Sequence, residues 1–107
     1  HTLACAAGVA AMNYYKDHDI EGHVAEMHAI VAPFMDEMVK KHKCIGEARC
    51  IGLFGALEVV KNMETREPMQ ENFIEICPPL IITGEELEHY LPILDEVLTM
   101  VDEKYCD

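Results

Sequence analysis

Basic residues are scarce: 8 Lys and Arg stand against 20 Asp and Glu, a net charge of −12 over 107 residues. Such a surface repels phosphate backbones and anionic lipid, which argues against nucleic-acid and membrane partners. The longest basic run, "KKHK" at 40–43, suits the end of a helix, where cations meet the negative pole of the dipole. Long apolar runs are missing too, so no segment reaches transmembrane length. The opening "LACAAGVAAM" lacks the basic residues that precede the core of a signal peptide. Beginning at His1 without a methionine, the chain reads as part of a longer polypeptide. There is no CxxC, and cysteines 5, 44, 50, 77 and 106 are odd in number and fit no common zinc spacing. Reduced thiols in a cytoplasmic protein are expected, with Cys5 and Cys77 as small buried hydrophobes. No serine sits in a nucleophile elbow, and no glycine-rich phosphate loop joins a strand to a helix.

The residues that are present suffice for one modest core, so 1–107 reads as a single domain. Residues 3–16 form an Ala-rich helix whose small side chains permit close approach, and Gly8 implies a tight contact. Ile20, Val24, Met27, Val31, Phe34 and Met38 recur at helical spacing, predicting a second helix over 20–41 that Pro33 should kink or relieve of one hydrogen bond. The period then changes. Across 44–61, Leu53, Gly55, Leu57 and Val59 alternate with Phe54, Ala56, Glu58 and Val60, predicting one strand bent or closely approached at Gly52 and Gly55. "NFIEIC" predicts a second strand and "LIIT" a short extended piece. Thr83 and Glu86 make a capping box, and Leu87, Leu91, Leu94, Leu98 and Val101 define a helix over 84–104. The order ααββα describes an α+β fold, a small antiparallel sheet with three helices.

Local constellations identify no reaction. His18, His23 and His28 recur every five residues, which scatters them around a helix; solvated side chains are expected, not metal ligands. Glu85, Glu86 and Glu88 open a helix and complement its dipole. Glu58 and Glu75 are acids within strand patterns, expected on a solvent-facing side of the sheet. No catalytic, cofactor-binding or metal-binding residue is assigned.

Three ordered blocks nevertheless resemble one family. "EARCIGLFGALEVVKNMETREPM" is similar to the strand R-G-x-G-L-x-x-A-x-E-L-V and the following loop K-x-x-x-T-K/R-x-P in the C-terminal small domain of class III aminotransferases, pyridoxal-phosphate enzymes of fold type I. Arg49, Gly52, Leu53, Ala56, Glu58, Val60, Lys61, Thr65, Arg66 and Pro68 fall in step, and Cys50 replaces the first glycine. "HTLACAAGVAAM" resembles the family's G-H/N-P-L-A-C-A-A-A-L-A-A helix, with Thr2 where proline is usual. "CPPLIITGEELEHYLPILDEVL" resembles its closing A-P-P-L-I-I-T segment and helix. The wording is nearest to the ω-amino acid and taurine:pyruvate branch.

The resemblance implies transfer of an amino group between an amine or ω-amino acid and a keto acid such as pyruvate. It also implies pyridoxal 5′-phosphate in a parent enzyme whose aldimine lysine and pyridine-binding aspartate belong to a large domain outside this chain. The implied partners are that large domain and a second subunit, in a cytoplasmic homo-oligomer. The chain alone is expected to hold no cofactor and to be inactive. Two departures stand out. Between "REPM" and "PPLIIT" the family places a further helix and strand, where only "QENFIEIC" fits here. Glu75 lies three residues before Pro78, where many members carry an arginine for the substrate carboxylate. A stand-alone, noncatalytic interaction module using the Ala-rich helix is the alternative.

Overall fold

The computed structural model describes residues 1–106, with the backbone only at position 71. Three helices and three strands follow in the order α1 (Thr2–Asp17), α2 (Ile20–Lys41), β1 (Ile45–Ile51), β2 (Phe54–Asn62), β3 (Glu67–Ile76) and α3 (Gly84–Tyr105). The strands form an antiparallel meander, β1-β2-β3, so the α+β reading holds. The stretch read as one strand over 44–61 is a hairpin. Gly52 has φ +58 and heads a two-residue turn with Leu53, the position where a type II′ turn asks for glycine. Leu53 hid that turn, because this turn residue is apolar and only 4% exposed, packed into the core. Gly55 is the close approach that the sequence suggested: a Cβ there would meet Met35 Cε at 3.2 Å.

The second turn, Met63–Arg66, is tied by Asn62, whose side chain accepts from Glu64 N at 2.8 Å and Thr65 N at 3.0 Å. Arg66, at φ 55, reaches back across the sheet and donates to the Gly46 carbonyl at 3.0 Å. β3 therefore begins at Glu67, five residues before the strand expected at "NFIEIC". "LIIT" is not extended; Ile82 N closes a turn onto Pro79 O at 3.0 Å.

Helices α2 and α3 cover one face of the sheet. Their seams, Met27, Val31, Met35 and Met38 from α2 and Leu87, Leu91 and Leu98 from α3, share a core with Ile45, Leu57 and Val59 of the sheet. α2 runs through Pro33 as one helix. α3 opens on the expected capping box: Glu86 N donates to Thr83 Oγ1 at 3.2 Å, and Thr83 N donates to the Glu86 carboxylate at 2.9 Å. Those bonds from Thr83 hold the Glu86 carboxyl below its usual range.

α1 is the exception, with no buried residue. The tight contact expected at Gly8 is absent from this chain: nothing lies within 4 Å of where a Cβ would stand. Cys5 and Cys77, expected to be buried, are both exposed, and Cys44 is the buried thiol. Cys5 follows α1 into solvent, and Cys77 lies in the link after β3.

Candidate functional site: the open face of the sheet

With α2 and α3 on one side, the alternation of each strand sends the other half of its side chains to an uncovered face. β1 contributes Arg49 and Ile51, β2 contributes Phe54, Ala56 and Glu58, and β3 contributes Phe73 and Glu75. The pairing register sets them in rows. Ile51 stands opposite Phe54 at the hairpin end. Arg49, Ala56 and Glu75 make the next row, with Ala56 the low point between an acid and a base. Glu58 pairs with Phe73 beyond it. Ile51, Phe54 and Phe73 are 78%, 55% and 59% exposed, so this face presents apolar walls around a shallow floor. Its charges are sparsely neutralised: Arg49 leans on Glu47 at 3.5 Å, while no ion pair to Glu58 or Glu75 occurs among the described residues. Glu58 and Glu75 thus lie on the solvent-facing side, as expected, with Glu58 half-buried beside Phe73.

The three histidines singled out in the sequence are not brought together. His18 is exposed and stacks on Tyr14, whose carbonyl it meets at 3.0 Å. His23 and His28 are not freely solvated. His23 Nε2 meets the Ile82 carbonyl at 2.8 Å, and His28 Nδ1 meets the Gly52 carbonyl at 3.2 Å. Each pins a turn to α2. The spacing that rules out a shared metal says nothing about single backbone acceptors, which is why sequence reasoning missed this role. No group of three or more metal-binding side chains occurs among the described residues.

His42 was missed altogether. Within the basic run at the end of α2, it is 3% exposed and lies between two carboxylates of α3. Its Nε2 is 2.7 Å from Asp95 and its Nδ1 2.8 Å from Asp102. Asp102 also accepts from Cys44 N at 2.8 Å, and Lys41 pairs with Asp95. Bonds from Lys41, then His42, hold the Asp95 carboxyl below its usual range. Burial pushes Asp102 up, but the donors at Cys44 and His42 outweigh it and leave the carboxyl lowered. Ionised carboxylates only accept, so each ring nitrogen of His42 faces an acceptor. Burial first, then the hydrogen bond with Asp102 and its charge, push the Cys44 thiol far up, which makes it inert as a nucleophile. The sequence did hold a signal for this cluster. Asp95 and Asp102 are seven apart and interrupt the apolar seam of α3, where an acid needs a partner.

Comparison with known proteins places this architecture. No family model matches the chain. It is 55% identical to a taurine:2-oxoglutarate aminotransferase from Bifidobacterium kashiwanohense, whose crystal structure holds pyridoxal phosphate and glutamate; the TM-score is 0.93, covering 99% of this chain and 30% of that one. It is 35% identical to an acetylornithine aminotransferase of Caldanaerobacter subterraneus subsp. tengcongensis, over 92% of this chain and 28% of the relative. A taurine–pyruvate aminotransferase of Bilophila wadsworthia is 23% identical over 132 positions, covering 97% of this chain and 29% of the relative. The fold is therefore that of fold-type-I aminotransferases. Over nearly its whole length the chain is homologous to the class III pyridoxal-phosphate aminotransferases, consistent with their C-terminal small domain. It spans less than a third of the length of these relatives. The 132 matched positions exceed the 107 residues available, so that relative carries internal residues opposite gaps in this chain.

The residues in hand do not fit the cofactor. An aldimine lysine is activated by desolvation or by a neighbouring cation, yet Lys16, Lys40, Lys41, Lys43, Lys61 and Lys104 are all exposed. The N-termini of α2 and α3, the places where helix backbone amides can cradle a phosphate, are already taken by Asp19 and by Thr83 with Glu86.

Proposed function

We propose that residues 1–107 are the C-terminal small domain of an aminotransferase that moves an amino group between an amine or ω-amino acid and a keto acid such as pyruvate or 2-oxoglutarate. The observation that carries this reading is the 55% identity, at a TM-score of 0.93, to the taurine:2-oxoglutarate aminotransferase. The cofactor is then held by a large domain outside this chain, in a cytoplasmic enzyme with a second subunit. The open sheet face turns toward the catalytic centre, because α2 and α3 already occupy the other side and Ile51, Phe54 and Phe73 need cover. Glu75, in the row with Arg49, disfavours anchoring the donor by a carboxylate at that position, so the donor, an amine or sulfonate for preference, is held elsewhere.

The isolated chain is inactive in this reading, with pyridoxal phosphate forming weak, dilutable imines on its exposed lysines. Absorbance spectroscopy of the purified chain with pyridoxal phosphate tests that. A persistent aldimine band, abolished by mutating one particular lysine, would overturn it. Coding sequence upstream of His1 separates the two readings: a lysine-bearing large domain supports the enzyme, and a start codon directly before His1 supports a stand-alone module.

A further inference from the structure

The β1–β2 turn, at one end of the open face, is gripped from behind by α2. Val24 and His28, one helical turn apart, both face Gly52. A Cβ on Gly52 would stand 2.8 Å from Val24 Cγ1, so the turn lies close against the helix. The Gly52 carbonyl can only accept, so His28 Nδ1, 3.2 Å away, carries the hydrogen. The other donor to that carbonyl, the Cys50 thiol at 3.5 Å, is a weak one.

This grip reaches the open face directly. Gly52 and Leu53 join Ile51 to Phe54, the pair that ends the β1–β2 ladder. With Arg49, Cys50 and Ala56, those two line a recess of about 390 Å³, a size that suits a small ligand. Cys50 borders the recess while its sulfur lies 3.6 Å from His28 Nδ1. The histidine therefore stands behind the recess as well as behind the turn.

We propose that His28 is a positioning residue for amino-group transfer, its bond to Gly52 holding Ile51 and Phe54 where they border the bound substrate. The assignment rests on the reading that the open face turns toward the catalytic centre. A turn without this bond would leave the recess deformed for part of the time, and apparent affinity falls with the competent fraction. In the same reading the reacting groups belong to the large domain, so His28 acts on substrate binding and not on the chemical step.

Kinetics of the whole encoded polypeptide test this, with taurine and 2-oxoglutarate, the substrates in the name of the 55%-identical relative. His28→Ala is expected to raise KM about fivefold, as loss of one neutral hydrogen bond would, with kcat little changed. His28→Asn keeps an N–H donor near the place of Nδ1 and should restore KM. His23→Ala breaks a bond of the same kind, but to Ile82 beyond the sheet, and should leave KM unchanged. Amide exchange at residues 51–54 should quicken in His28→Ala and slow again in His28→Asn. An active enzyme whose KM ignores His28→Ala, or whose KM His28→Asn fails to restore, would overturn the assignment alone. An equal rise in KM with His23→Ala would also overturn it, marking a general loss of stability. Absence of transamination by the unaltered polypeptide would overturn the proposed function, and this assignment with it.

Discussion

Helices α1 and α3 bracket the chain and differ in nearly every respect that holds a helix in place. α3 begins on a reciprocal capping box, buries Leu87, Leu91 and Leu98, and meets His42 through two acids a heptad apart. α1 begins uncapped and buries nothing. Ala-rich composition makes α1 locally helical, but stability of position comes from tertiary contacts, and these belong to α3. The lesson is that helical propensity and helical anchorage are separate properties, written in different residues.

The contrast can be broken at several points. The largest effect is expected from Leu98→Ala, which empties a fully buried site and should cost about 3 kcal/mol in urea unfolding. A loss under 1 kcal/mol would mean that α3 is no better anchored than α1. His42→Ala should follow at about 2 kcal/mol, because it strands two carboxylates that are themselves partly solvated. The same network has a pH signature. Asp95 and Asp102 have folded pKa values below the ordinary 3.8, so they contribute stability above that value and lose it as pH falls through their lowered values. Acid titration of stability should therefore drop more steeply in the unaltered chain than in His42→Ala, and equal slopes would deny the histidine its role.

Thr83→Ala removes one side of the capping box and should cost about 1 kcal/mol. Smallest of all is Gly8→Ala. With nothing near the added Cβ, the substitution should raise α1 helicity and leave the main unfolding midpoint within about 0.5 kcal/mol. A large shift in either direction would show that α1 is packed after all.

Much of α3 was legible in sequence, because capping box and apolar seam are local patterns with fixed spacing. α2 was legible for the same reason. The sheet was half read: alternation located β2, but the Gly52-Leu53 turn was concealed by a leucine that serves both turn and core. The outward acids Glu58 and Glu75 followed from alternation. The histidines did not follow from spacing, since their partners are carbonyls of turns far along the chain. Nor could α1's exposure be read, because a small-residue helix looks the same whether or not its neighbour is present.

The His42 cluster bears on folding order. β1, β2 and β3 are joined by tight turns, so the meander needs little loop closure and can assemble early. His42 and Asp102, by contrast, are 60 residues apart and meet when α3 docks. Contacts made late are absent from the barrier to folding. Loss of the histidine should therefore leave the folding rate nearly unchanged and appear as faster unfolding: this charged cluster sets how long the folded chain lasts, more than how quickly it forms.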